Sequence, residues 1–264
     1  MAHDEGAGSD PHADRSRAKR ASGFLEICVD SLVSAHRAIA GGADQIELCS
    51  ALALGGLTPS QGLAEAVLAV ARPAGVAVRA MVRPRAGDFA YDADEMAIAA
   101  GEARALLAAG VDGLVFGVAR HGAIDWPAMN RWRDGAGAPH ITLHRAIDTV
   151  ADPVGTVAEA VASGIDQILS SGGQPRAIDG IATLSAMAER AEGRCRIVAG
   201  AGVDPGNARL FVAAGLRALH ATARSNGGRT TATVPDPLGF GLAFAPADET
   251  IVRALREEVD NANI

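Results

Sequence analysis

Aromatic residues are scarce. Phe, Trp and Tyr together make up 3% of the 264 residues, which argues against the stacking platforms that hold single-stranded nucleic acid. Positive charge is also thin. The formal net charge is −7, and no dense Lys/Arg block follows residue 22, so nucleic acid and anionic membranes are poor partners. No apolar run reaches the ~18 residues that a bilayer span requires. Cysteine is limited to three residues, an odd count in a long chain, which fits a reducing cytosol better than a disulfide framework. The opening MAHDEGAGSDPHADRSRAKR has no apolar stretch after its basic residues, so it reads as no secretory signal. A disordered polar leader over 1–22 is expected, followed by one domain over 23–264.

What is present is an Ala-rich chain, 48% apolar, with a strict alternation of two textures. Short apolar runs ending in polar or glycine-rich turns predict buried parallel strands at 24–28, 44–49, 76–82, 112–117, 140–144, 166–170, 195–199 and 217–220. Helical spacing predicts helices at 31–41, 60–71, 92–109, 125–134, 152–163, 176–192, 204–214 and 247–261. Phrases such as AGGADQIEL and AAGVDGLVF stop a helix at glycine and enter a strand at once, because glycine takes the left-handed cap without Cβ strain. Asp152-Pro153 and Asp204-Pro205 read as N-caps with proline at the first helical position. The order predicts an α/β protein, a single TIM-like (β/α)8 barrel. A doubly wound sheet would want a glycine-rich nucleotide loop after its first strand, and EICVDSLVS contains none. The Gly-, Pro- and Thr-rich stretch from 225 to 248 follows the last strand and falls on the catalytic side of a barrel.

Strand side chains alternate faces. With Leu25, Ile27, Ile46 and Leu48 facing the helices, Glu26, Cys28, Glu47 and Cys49 point into the barrel. The repeated Glu-x-Cys phrase thus brings two strands to one place. Met81, Arg83 and Arg85 share one parity, and Thr142 and His144 face inward from the fifth strand. Buried carboxylates need partners, and Arg83 and Arg85 are the expected ones, since an Arg fork suits a carboxylate. Arg145 and Asp148 accompany His144 in the phrase HRAID, and Ser170 and Ser171 close the sixth strand. Gly200 and Gly202 in AGAGV resemble a phosphate-gripping turn, or simply a tight packing turn. The face taken by His220, at the end of the last strand, stays open. Taken residue by residue, the charged set reads equally as a structural ion-pair cluster, His144 as a hydrogen-bonded core histidine, and Cys28 and Cys49 as small buried residues. Their convergence on one rim favours a functional site.

The phrases LEIC, GADQIELCSALALGGLTPS, VRPRAGDF, LHRAIDT, QILSSGG, IVAGAGV and LHATAR, in that order, resemble the CutC family of copper homeostasis proteins. The resemblance implies a cytoplasmic TIM-like barrel that binds Cu(I), with Cys28 and Cys49 as metal ligands, and a homodimer. It also implies a rim of charged groups on Glu26, Glu47, Arg83, Arg85, His144, Arg145 and Asp148. Ser170-Ser171-Gly172 stands where the family often has Thr-Ser-Gly, and His220-Ala221-Thr222 where His-Ser-Ser is usual; both keep a hydroxyl. A second function is equally concrete: an enzyme, whether hydrolase, isomerase or lyase, acting on a small anionic substrate, phosphorylated or not. There Glu26, Glu47, His144 and Asp148 are the acid/base candidates. Arg83, Arg85, Arg145, Ser170, Ser171, Gly200 and Gly202 bind substrate, and the carboxylates and histidine could hold Mg²⁺ or Mn²⁺.

Overall fold

The structure, a computed structural model, describes residues 23–225 and 245–261. The expected leader over 1–22 and most of the 225–248 stretch lie outside the described residues. Eight parallel strands alternate with helices: β1 (Phe24–Val29), α1 (Leu32–Gly41), β2 (Gln45–Leu48), α2 (Gln61–Ala71), β3 (Ala77–Met81), α3 (Ala93–Ala109), β4 (Gly113–Phe116) and α4 (Trp126–Ala136). There follow β5 (Ile141–Leu143), α5 (Pro153–Ala162), β6 (Gln167–Ser170), α6 (Ile181–Ala191), β7 (Arg196–Ala199), α7 (Ala208–Ala213), β8 (Ala218–Ala221) and α8 (Glu249–Asp260). The sheet closes by pairing β1 with both β2 and β8.

Local chemistry sets the helix ends. Ser31, Ser60, Asp92, Asp125 and Asp152 each accept a backbone N–H of the first turn, satisfying donors that would otherwise be orphaned. Asp92 and Glu95 complete a capping box. Pro153 sits in the first turn behind Asp152, as expected. The other proline phrase behaves differently. Asp204 spends its carboxylate on Gly206 N and Asn207 N, so it closes a turn, and the helix expected over 204–214 shrinks to Ala208–Ala213. The helix expected over 176–192 opens as a 3-10 turn at Ala177–Gly180. A two-stranded hairpin, Ala119–Arg120 with Ala123–Ile124, interrupts the β4–α4 connection. Two residues per strand are too few to show period-two alternation.

The strand faces divide as the alternation predicts. Leu25, Ile27, Ile46, Leu48, Val78, Leu114, Phe116, Ile141 and Leu143 belong to the large cluster shared with the helices. Inside the barrel the apolar contents are two small clusters, Cys28, Cys49, Met81 and Val115 in one, Leu169, Val198 and Ala218 in the other. The remainder of the interior is polar. Glu26, Gln45, Glu47, Thr142 and Gln167 are all buried, and Arg79 reaches Thr142 Oγ1 and the Asp166 carboxylate.

Candidate functional site

The two Glu-x-Cys phrases do not lie level with each other. Glu26 pairs in register with Gln45 and with His220, while Cys28 pairs with Glu47. The stagger that closing a barrel demands therefore slides the second phrase by one inward step. Glu26 falls in the lower layer, Cys28 and Glu47 sit together above it, and Cys49 lies next to both. The Sγ atoms of Cys28 and Cys49 are 3.7 Å apart, and Cys49 Sγ is 3.5 Å from Glu47 Oε1.

His220 faces the lumen and stands between the two carboxylates. Its Nδ1 lies 2.8 Å from Glu26 Oε1 and 3.3 Å from Glu47 Oε2. Gly200 makes this possible, since a Cβ there would come within 2.5 Å of Leu169 and 3.2 Å of the His220 ring. Glu26 Oε2 also accepts from the side-chain amides of Gln45 and Gln167. Burial alone would raise the Glu26 pKa, but the hydrogen bond and charge of His220, helped by the amides, hold it below its ordinary value. Burial pushes Glu47 well up, the neighbouring Cys28 adding to it, and Glu47 Oε2 has no hydrogen bond. Two carboxylates cannot both ionise against one imidazolium in a dry interior. Glu26 with its three donors is favoured as the charged member, and Glu47 is pushed toward its protonated form.

Cys28 gains from this arrangement. The hydrogen bond with Cys49 outweighs burial, and His220 assists, so the thiol titrates at about 6. The same pairing, with burial, drives Cys49 well up. One thiolate and one thiol therefore lie side by side. Cys28, Glu47 and His220 each place a ligand atom within 4.8 Å of the others. Thiolate and imidazole are soft or borderline donors, and Met81 shares the cysteine cluster. That set fits a soft monovalent or borderline divalent metal far better than Mg²⁺ or Mn²⁺, which prefer oxygen.

Above this floor opens a cavity of about 230 Å³ at the C-terminal ends of the strands, smaller than the ~300–1,000 Å³ of drug-sized sites. Cys28, Glu47, Arg83, His144, Arg145, Gly202 and His220 line it. Glu26 and Cys49 are not among the residues that line it.

Several sequence candidates go elsewhere. Arg83 and Arg85, expected to pair with Glu26 and Glu47, pair with neither. Arg83 donates to the carbonyls of Leu54, Gly56 and Gly87, and Arg85 turns outward to Glu95 and Asp88. Pro84 ends the strand pattern between them, so parity no longer governs Arg85. Asp148 accepts from Ser170 Oγ, Ser171 N, Ser171 Oγ and Gly173 N and pairs with Arg145. Ser170, Ser171 and Asp148 thus lock the loop after β6 to the 3-10 turn Arg145–Thr149. At Gly202 the backbone is left-handed, φ +71°, but the amides that follow are already taken by Asp204, leaving little for a phosphate.

His144 is buried with Nδ1 accepting the Ala146 N–H at 3.2 Å. Burial, then the Arg83 charge, lowers it to about 3. Its ring fits because residue 117 is glycine; a Cβ there would meet it at 2.7 Å. The residues that sequence reasoning missed are His220, whose register with Glu26 needed the barrel closure, and Met81, whose parity was visible but whose nearness to both cysteines was not.

The sequence matches the CutC family over residues 24–225. It is 40% identical over 203 residues to a CutC family protein of Photobacterium profundum, covering 76% of this chain and 82% of that one. With a CutC family protein of Caulobacter vibrioides the identity is 39% over 240 residues, covering 89% and 95%. A crystal structure from Streptococcus agalactiae, of a CutC protein provisionally assigned to copper homeostasis, superposes with a TM-score of 0.72 at 28% identity, covering 76% of this chain and 98% of that one. Thiamine phosphate pyrophosphorylase from Pyrococcus furiosus shares the barrel alone, with a TM-score of 0.58 at 16% identity, covering 92% and 98%.

Proposed function

The chain belongs to the CutC family, and from that premise we propose that it binds Cu(I) in the cytoplasm, through Cys28 and Cys49, as a copper homeostasis protein. One observation carries the reading: two thiol sulfurs 3.7 Å apart, in an apolar cluster that also holds Met81. Soft sulfur donors select Cu(I). The low pKa of Cys28, about 6, favours the thiolate that Cu(I) needs, and His220, on losing its proton, is near enough to add a nitrogen. Copper K-edge absorption of the anaerobically loaded protein tests this. Scattering dominated by sulfur supports the site; a first shell of oxygen and nitrogen alone rejects it.

A second reading has its own observation. His220 stands between Glu26, whose pKa is held low, and Glu47, whose pKa burial pushes up, at the floor of an open cavity. Such a group can move a proton at a bound molecule, which supports an enzyme acting on a small anionic substrate. Turnover lost in both Glu47→Gln and His220→Gln would support that chemistry, while turnover unchanged in either would remove it.

A further inference from the structure

One wall of the cavity holds a buried cation that, among the described residues, has no carboxylate partner. Arg83 is 7% exposed. Its terminal nitrogens donate to three backbone carbonyls, and among the described residues it takes no carboxylate partner. The hydroxyl of Tyr91 also feels it, but burial holds that phenol at about 12, so Tyr91 brings no charge. Carbonyl dipoles satisfy hydrogen bonds and leave the unit charge uncompensated, a costly state in a dry site. Near it, Glu26 pairs with His220 and Asp148 with Arg145.

Beside Arg83 on the same wall stands His144. Because Nδ1 accepts the Ala146 amide and the ring is neutral, its proton sits on Nε2, and Nε2 has no partner. Phe89 packs on both residues, its ring centroid 5.1 Å from the guanidinium carbon and 4.7 Å from the imidazole centroid. The ring keeps water away, which strengthens any hydrogen bond or charge that does reach them.

We propose that this wall is the binding site for a small monoanionic carboxylate, with Arg83 supplying the counter-charge and His144 Nε2–H a hydrogen bond. A single guanidinium suits a single negative charge, which favours a carboxylate over a phosphate dianion. A cavity of about 230 Å³ suits a small ligand. His144 then serves as a neutral donor. The site stands apart from the copper reading, since neither wall residue is a proposed metal ligand.

The test is titration calorimetry with thermal unfolding on the full chain, using pyruvate and acetate as probes, and pyruvamide and inorganic phosphate as comparisons. Pyruvate or acetate should bind and raise the unfolding temperature; pyruvamide and phosphate should not. His144→Gln should weaken binding about tenfold, and Arg83→Gln should abolish it. Cys28→Ser with Cys49→Ser should keep it, which separates this site from the copper site. If Arg83→Gln does not fold, the His144→Gln result decides alone. The proposal is overturned if neither carboxylate binds, if pyruvamide or phosphate binds as well as pyruvate, or if His144→Gln binds as tightly as the native chain.

Discussion

Glu26 Oε1 and His220 Nδ1 lie 2.8 Å apart, joining the first barrel strand to the last. Both are buried, so each is the other's main compensation. Removing His220 leaves Glu26 with only the Gln45 and Gln167 amides, and removing Glu26 leaves His220 with Glu47, 3.3 Å away. Glu26→Gln and His220→Gln should each destabilise by roughly 3 kcal/mol. The double variant should fall short of the sum, with a coupling of about 1–3 kcal/mol. Urea unfolding of the four proteins measures it; strict additivity would mean that the pair is not an interacting unit.

His144 makes stability depend on acid. In the folded chain it titrates at about 3, against an ordinary value of 6.5. Between these values the unfolded chain binds the extra proton, so stability falls as pH falls through that window, by at most ~1.4 kcal/mol per unit. Above about pH 6.5 the contribution is complete. Stability of His144→Gln should decline less steeply between these pH values than that of the native chain, as read from denaturant midpoints across pH.

Arg83 and Arg85 should part company. Arg85 is tied to Glu95 and Asp88 away from the cavity, so Arg85→Gln should leave both Cu(I) affinity and carboxylate binding at native levels. Equal losses in the Arg83 and Arg85 variants, by calorimetry, would return Arg85 to the site.

Gly200 bears on the same centre. An alanine there would press on Leu169 and the His220 ring, costing about 1–3 kcal/mol as overpacking does. The imidazole resonances of His220 should shift in Gly200→Ala. Unchanged stability and spectrum would show that the ring has more room than the geometry allows.

Much of this was legible before the fold. Period-two alternation suffices to turn Glu26, Cys28, Glu47, Cys49, Met81 and His144 inward, because the opposite faces are uniformly apolar. What alternation cannot give is the offset between strands. The shear that sets Cys28 beside Glu47 and Glu26 beside His220 is a property of the closed sheet. Nor does it reach past strand ends. Arg85 follows a proline, and the bonds that Asp148 makes to Ser170 and Ser171 join two loops that are distant in sequence. Arg79, inward by the same parity as Met81, went unremarked because its carboxylate partner Asp166 lies at the far end of another strand.

The most direct measurement is an anaerobic Cu(I) titration against a chromophoric chelator, with the native chain and the Cys28→Ser/Cys49→Ser variant side by side. The native chain should compete for one Cu(I), and the variant, still folded, should lose that competition by at least about a hundredfold. Equal and weak competition by both proteins would contradict it, and would leave the cavity to the chemistry of His220 and a carboxylate ligand.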